Sequence, residues 1–521
     1  MGKYQKFMAI ASWWSVVLAI ASLIVIVVAT IYPFQFVIPQ NFSIFSIFQY
    51  FDYTSHLKDY GNNIVLFMPW GFSLSGILRR RKINYLAIFV LVFFASFALS
   101  LTVETVQVFL PIRASNFADV TFNTIGGGIG AYLYWRRKPI GDFVRALVFN
   151  HRQRLTPKSV GAVFLGYFFL VYLLVFSLLV NVNLNNWDRA FPLIVGNEST
   201  ADRPWEGRIK QLHISDRSLS LAEITAAFDE KEVFWLKSGN SLASYLFSAN
   251  NNEQKTNFAN IIGNNPRLFW HVEISEIPVK PYSSVDSVLL ESNRWLKTRD
   301  ATQKITNKLR KSNQFTWAAI VATNNIKQVD LPRIISLSGN PFYRNFTIAQ
   351  EGKDLILRLR TPITGVNGNE PELMIPEIFT DLDFHYLIFT FDSHKLDCYI
   401  DRPDNKYTFV FEPEISIWSF FPVIIPAWRI NLADFNKLFY RLAFYSILFI
   451  PLGFLASSIL SFFNRQKLTQ IILIIALCLI PPFLIEQLYV ALSNQPMRIF
   501  NLILSTVILL VTTLIFNKIS R

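Results

Sequence analysis

Cysteine is nearly absent from this chain: 521 residues contain two, Cys398 and Cys478. They fall in different compartments of the topology derived below, so no disulfide framework follows from them. Histidine is also scarce, at six residues. No His-metal cluster, Ser/His/Asp set or phosphate-binding loop emerges, which removes the usual residues of hydrolytic, zinc and nucleotide chemistry. Charged residues make up only 16% of the chain, and 36 acidic residues face 49 basic ones, for a formal charge of +13. An excess of that size would suit a nucleic acid, but its distribution argues otherwise. The basic residues cluster in short loops between apolar segments, the positive-inside signature of a membrane protein. Nucleic acid is therefore excluded as a partner, and membrane lipid takes its place.

What the chain has instead is apolar length. Hydrophobic residues make up 52% of it, with a mean hydropathy of +0.33. A run of about 18 apolar residues is enough to cross a hydrocarbon core of about 30 Å. Eight runs qualify as helices: Phe7–Tyr32, Gly61–Leu78, Tyr85–Leu110, Phe117–Trp135, Val160–Val182, Tyr440–Phe463, Leu468–Leu492 and Met497–Phe516. The first follows Lys3 and Lys6, as in a signal peptide, but it is too long for one and is expected to be retained. Lys3/Lys6, Arg79–Lys82, Arg136–Lys158, Arg465/Lys467 and Lys518/Arg521 all fall on one side when the runs alternate across a bilayer. That side is the cytoplasm, which places both termini there and the long segment 183–435 outside the plasma membrane. The expected organisation is a membrane unit at 1–138, a cytoplasmic basic loop at 139–158, a fifth helix at 159–182, an extracytoplasmic domain at 183–435, and three closing helices at 436–521.

The two helical regions correspond to each other. A shift of 382 residues lays Leu66-Phe67-Met68-Pro69-Trp70-Gly71-Phe72 on Leu448-Phe449-Ile450-Pro451-Leu452-Gly453-Phe454, Glu104 on Glu486 and Asp119 on Asn501, without a gap. This points to two parallel four-helix units, a pattern also found in transporters. In the first unit, polar residues interrupt the apolar runs: Asn62, Asn63, Glu104, Gln107, Arg113, Asp119 and Asn123. Ionisable residues inside a membrane are costly and mark functional sites by default. Glu104 sits about 9 Å below the outer end of its helix, at 1.5 Å per residue. Gln107 shares its face, and Asp119 opens the next helix, where the helix dipole favours a carboxylate. Gly126 and Gly130 form a Gly-x-x-x-Gly step for close helix packing. All seven groups are expected in one layer near the outer surface. They form either a site for a lipid head group, sugar or peptide, or an ion-paired network that holds the helices together. In the second unit Tyr489, Asn501 and Ser505 replace Gln107, Asp119 and Asn123, so that copy is expected to be degenerate and structural.

The pattern Pro69-Trp70-Gly71-Phe72, Glu104 and Gln107, Arg113, Asp119, Asn123 and Gly126-Gly127 resembles the VanZ-like membrane domain over the first quarter of the chain, and the C-terminal unit more weakly. The resemblance implies a bacterial cell-envelope protein of a family whose founding member is associated with glycopeptide resistance. It implies a place in the cell and no defined reaction.

Between Phe191 and Glu412 the texture changes to short alternating segments with Gly, Asn and Pro turns, such as Arg333–Leu337, Leu355–Leu359, Tyr386–Phe391 and Lys406–Phe411. Segments of this kind form an antiparallel sandwich, and about 220 residues suit one jelly roll. The stretches Pro204-Trp205-Glu206-Gly207-Arg208-Ile209, Asp216–Glu223, Ile335–Gly339 and Leu357–Thr361 resemble laminin-G or concanavalin A-like domains, with the usual order permuted. Such domains bind carbohydrate or protein, sometimes through Ca2+. Trp187, Trp205, Trp270 and Tyr343 are candidates to face sugars, and Asp381, Asp383 and Asp392 are weak candidates for calcium. No dense calcium-loop spacing accompanies those acids, so no cofactor is expected. His385 is expected in a strand core, and Lys297–Lys311 in a solvated surface helix.

The fold class is thus a polytopic α-helical membrane protein of about eight spans in two VanZ-like units, with an extracytoplasmic all-β sandwich. Display of a glycan- or protein-binding sandwich is the leading function. An enzyme using Glu104, Arg113 and Asp119 on a lipid-linked envelope substrate is the alternative, with a transporter as a third.

Overall fold

The computed structural model describes residues 2–31, 34, 36–38, 47–48, 51, 57–81, 83–110, 115–148, 156–237, 241–247, 257–262, 266–272, 283–284, 287–420, 428–463 and 466–519. They form two compact units, Met1–Ser159 and Val160–Arg521.

The first unit is helical, with α1 (Gly2–Ile31), α2 (Leu57–Arg79), α3 (Tyr85–Gln107) and α4 (Phe117–Val148). α3 starts where Asn84 caps it, the side chain accepting the Ala87 N–H at 2.7 Å, as N-cap residues do. α4 overruns the expected end at Trp135 and continues as helix through Arg136-Arg137-Lys138 to Val148. The basic segment 139–158 is therefore not wholly loop: charge halts the passage through lipid, but Arg136, Arg137 and Lys138 are good helix formers and the helix continues through Pro139 and Gly141. Gly126 and Gly130 pack against the backbone of Ile64 and Met68 in α2, and a Cβ on Gly71 would collide with the Gly127 carbonyl. α2 and α4 thus cross in backbone contact, which only glycine at these positions allows.

The second unit starts with α5 (Pro157–Val180) and leads into a two-sheet sandwich. Its strands are β1 (Leu193–Val195), β2 (Gly207–Ser215), β3 (Ser241–Leu246), β4 (Asn257–Phe258), β5 (Leu268–Val272) and β6 (Ser283–Ser284). There follow β7 (Ser287–Leu290), β8 (Arg294–Thr298), β9 (Gln314–Thr323), β10 (Arg333–Asn340), β11 (Tyr343–Glu351) and β12 (Asp354–Leu359). The last are β13 (Glu372–Ile375), β14 (His385–Asp392), β15 (Lys395–Ile400), β16 (Arg402–Val410) and β17 (Arg429–Asn431). One sheet runs β17-β13-β12-β11-β10-β1-β8-β5-β4 and the other β16-β15-β14-β9-β2-β7-β6, with β3 beside β2. Pairing is antiparallel except where β17 returns beside β13. The sheets meet in an aromatic core: Phe346 of β11 lies 5.2 Å from both Phe315 and Trp317 of β9, centroid to centroid.

Short helices α6 (Leu221–Glu230), α7 (Glu232–Lys237), α8 (Gln303–Ser312) and α9 (Pro413–Ser416) decorate the sandwich. The basic surface helix is α8, but it begins after Lys297, which pairs with Phe269 and Ile194 as part of β8. α8 also buries Ile305 and Leu309, so it is amphipathic and packed rather than fully solvated. The chain closes with α10 (Leu438–Leu460), α11 (Lys467–Ser493) and α12 (Ile499–Ile519).

Helices therefore stand at all eight apolar runs. Among the described residues five of them, α3, α5, α10, α11 and α12, are long and apolar enough to cross a membrane. Their outer faces expose Leu86, Phe94, Leu165, Leu170, Ile447 and Ile472. A soluble protein rarely leaves so much contiguous apolar surface in water, and lipid is its natural solvent. The chain is a membrane protein with a β-rich domain.

Candidate functional site

The polar layer of the first unit is built on the α3–α4 seam. Ser96, Ser100 and Glu104 recur at four-residue steps, so they stack on one face of α3, and all three are buried. Glu104 Oε2 accepts the backbone N–H of Asn116 at 2.8 Å, and its carbonyl accepts Ser115 Oγ–H at 2.6 Å. Asn116 Oδ1 in turn accepts the Ala118 N–H at 2.8 Å, capping α4. One turn deeper, Asn123 Nδ2 donates to Ser100 Oγ at 2.9 Å. Deeper still, Ser96 lies against Gly127, where a Cβ would clash with its hydroxyl. Asp119 is half-buried and close enough to Glu104 for the two carboxylates to repel.

Of the seven candidates, Glu104, Asp119 and Asn123 meet in this seam. Gln107 faces elsewhere, donating to the Thr30 carbonyl of α1 at 2.9 Å. Asn62 is exposed; Asn63 is half-buried, with its Nδ2 enclosed and unpartnered among the described residues. Arg113 and Pro111 lie outside the described residues. Trp70 Nε1, Ser96 Oγ and Asn123 Oδ1 are likewise buried without a partner among the described residues. A buried polar atom left unpaired costs about 1–3 kcal/mol, so this unit retains donor and acceptor capacity that its own described side chains do not use. Ser96, Ser100, Asn116 and Trp70 were missed by sequence reasoning. Stepping back by four from Glu104 would have found both serines.

Helices α10–α12 carry a polar layer of their own, more heavily ion-paired, in which Asn501 Oδ1 is buried without a partner among the described residues. Glu486 is buried on α11 and receives Arg498, with Nη2 to Oε1 at 2.8 Å and Nε to Oε2 at 3.2 Å. The Arg498 N–H also donates to Glu486 Oε2 at 3.3 Å. This backbone bond lies 382 residues beyond the one from Asn116 to Glu104. Tyr445 of α10 donates to Glu486 Oε1 at 3.2 Å, and the Arg498 guanidinium lies 3.6 Å from the Tyr489 ring centroid. A second buried carboxylate enters from outside the helices: Glu414 of α9 accepts Arg498 Nη1 at 2.8 Å, Asn501 Nδ2 at 2.8 Å and the Tyr445 hydroxyl at 2.5 Å. Glu414 sits in a short turn after the last alternating strand, and nothing in the periodicity marked it.

In the sandwich, two of the four aromatic candidates are corrected to core. Trp187 and Trp205 are at most 1% exposed, with indole N–H groups donating to the Arg360 carbonyl at 2.8 Å and to Gln350 Oε1 at 2.7 Å. Their rings fill the interior and offer no face to a sugar. Tyr343 is exposed at the start of β11. Trp270 borders a groove of about 440 Å³ along β5 and β8, lined also by Phe269, His271, Lys297, Thr298 and Arg299. The Arg299 guanidinium stands 3.9 Å from the Phe269 ring centroid, and that of Arg294 5.0 Å from Trp270.

The calcium candidates do not converge. Asp381 and Asp383 form a turn before β14, where the Asp383 N–H donates to Asp381 Oδ1 at 2.9 Å. Asp392 ends the same strand and accepts Gln314 Nε2 at 2.8 Å. The strand between them, His385–Asp392, spans seven residue-to-residue steps, about 23 Å at 3.3 Å each. No group of three His, Cys, Asp or Glu residues suited to a metal occurs among the described residues. His385 begins β14 rather than lying in the core, and Asp401, 2.8 Å from its Nδ1, raises its pKa. The core histidine is His213, stacked on Trp235 and bonded to Ser244 Oγ at 2.8 Å. Burial lowers its pKa to about 3.

Comparison with known proteins fits the first unit. Residues 14–140 match the family model VanZ/LLP1. Over 103 residues the chain is 31% identical to Protein VanZ of Enterococcus faecium, in an alignment that takes in 18% of this chain. The chain spans 60% of the length of that curated relative. No solved structure matches. The helices that carry Glu104, Asp119 and Asn123 thus lie in the stretch similar to VanZ/LLP1, and the chain also holds a β-rich domain and further membrane helices.

Proposed function

We propose that this protein is a multi-pass envelope protein that presents its sandwich outside the plasma membrane to bind an acidic glycan. Eight spans, both termini in the cytoplasm and residues 183–435 outside are the arrangement that the distribution of basic loops supports. The likeness to laminin-G and concanavalin A-like segments favours carbohydrate as the ligand class, and the groove beside Trp270 is the observation that carries the reading. Phe269, on the same face as Lys297 and Arg299, offers aromatic surface for a sugar ring, while Trp270 beside it turns to the other face of the sheet, toward Phe258. Lys297 and Arg299 bring positive charge, and among the described residues no carboxylate lines the groove. A guanidinium laid on an aromatic ring is held in place with its donors free for a phosphate or carboxylate.

The test uses full-length protein in nanodiscs and measures retention on two immobilised polysaccharides, one polyanionic and one neutral. Selective binding to the polyanion is expected, with at least a tenfold loss on Phe269→Ala or on the pair Lys297→Glu and Arg299→Glu. Equal binding to both polymers, or binding that these variants leave unchanged, would count against it.

A second reading concerns the first unit. Its unpartnered buried polar atoms, together with Glu104 and Asp119, favour a site for the polar head of a lipid-linked envelope substrate. There one carboxylate, with Arg113, would act in general acid–base chemistry. This reading does not compete with display by the sandwich.

A further inference from the structure

The second helical unit lacks the carboxylate that the first carries at Asp119, because Asn501 stands at the corresponding position. The chain does not leave that layer short of a carboxylate. After β16 it runs through α9, turns back as β17 along the edge of the sandwich, and only then enters α10. α9 pushes Glu414 into the helix ends, where it is fully buried. Each Glu414 oxygen is satisfied: Oε1 by Tyr445 of α10 and Asn501 of α12, and Oε2 by Arg498. Arg498 also binds Glu486 of α11, so the cluster ties together the ends of all three helices. Beside it Glu412 pairs with Lys437 at 3.2 Å and Arg441 at 3.2 Å, which balances three carboxylates with three cations.

We infer that the sandwich supplies in Glu414 the carboxylate missing from the C-terminal unit, and that this latch makes the sandwich and helices α10–α12 one mechanical body. Glu414 is a positioning residue. The carboxylate oxygens of Glu414 and Glu486 are all engaged, while Asn501 Oδ1 is a buried acceptor without a partner among the described residues. A load or ligand on the sandwich is therefore transmitted to α10–α12. The inference does not depend on what the sandwich binds.

The test compares four forms of the full chain in detergent: the natural sequence, Glu414→Gln, Asn501→Asp and the double variant. Thermal unfolding is followed by helical circular dichroism and by tryptophan fluorescence, to which Trp187, Trp205, Trp235, Trp295 and Trp317 of the sandwich core contribute. Coincident transitions are expected for the natural sequence. Glu414→Gln should lower the midpoint by roughly 5 °C and separate the two signals, since breaking a buried pair leaves a charge uncompensated. Asn501→Asp alone should also destabilise, by adding a fourth buried carboxylate to Glu412, Glu414 and Glu486. Combined with Glu414→Gln, the same substitution should restore at least half of the loss, because it returns the carboxylate to the Asp119 position. If Glu414→Gln cannot be purified, recovery in the double variant supports the latch equally. An unchanged midpoint in Glu414→Gln, or an Asn501→Asp effect of the same sign in both backgrounds, would overturn it.

Discussion

Glu104 concentrates the chemistry of the first unit in one side chain. Its carboxylate holds the N–H that starts α4, while its other neighbours include Asp119 and a seam of under-used polar atoms. Two substitutions separate structure from function here. Glu104→Gln keeps an oxygen to accept the Asn116 N–H and should accumulate in the membrane at close to the natural level. Glu104→Ala strands that donor and should cost about 1–3 kcal/mol, seen as lower protein abundance. If the seam works on an envelope substrate, the Gln form is present but inactive. A Gln form that is fully active would reduce Glu104 to a helix tie. The contrast with Glu486 sharpens the expectation, because Arg498 and Tyr445 already engage that carboxylate.

At the scale of elements, packing between helices rests on a few small residues. A Cβ at Gly71 meets backbone atoms of Gly127, which cannot step aside as a side chain would. Gly71→Ala should therefore force α2 from α4 and destabilise by about 1–3 kcal/mol, measured as detergent resistance or melting midpoint. Gly61, on the same helix with nothing within 4 Å of the added carbon, is the control and should tolerate alanine. A neutral Gly71→Ala would contradict the close crossing. Much of this level was legible in the sequence. Apolar run length located every long helix, and period-two alternation located β10, β12, β14 and β16. The helical continuation past Lys138 was not legible, because basic residues mark the limit of lipid rather than of hydrogen bonding. The burial of Trp187 and Trp205 was equally hidden, since an aromatic residue in a turn-rich stretch looks the same whether it faces sugar or core. Glu414 escaped for a different reason: its partners lie 31 to 87 positions further along the chain, and no local pattern records a contact of that range.

At the scale of the whole molecule, a stretch similar to VanZ/LLP1 shares one chain with a β-rich domain and further helices. Within the C-terminal unit the sandwich is fastened at both of its junctions. His394 Nε2 lies 2.9 Å from the Leu179 carbonyl at the end of α5, and Glu414 closes onto α10–α12. A domain fastened in this way takes its side of the membrane from the helices, so orientation decides whether it meets the envelope. The two natural cysteines, Cys398 and Cys478, are buried, which leaves a quiet background for thiol labelling. The decisive measurement is reaction of single added cysteines with a membrane-impermeant maleimide in intact cells. Phe342→Cys, at a position 69% exposed at the edge of the sandwich, should label without permeabilisation, and Lys138→Cys only after it. Labelling of Lys138→Cys in intact cells, with Phe342→Cys protected, would place the sandwich in the cytoplasm and contradict display toward the envelope.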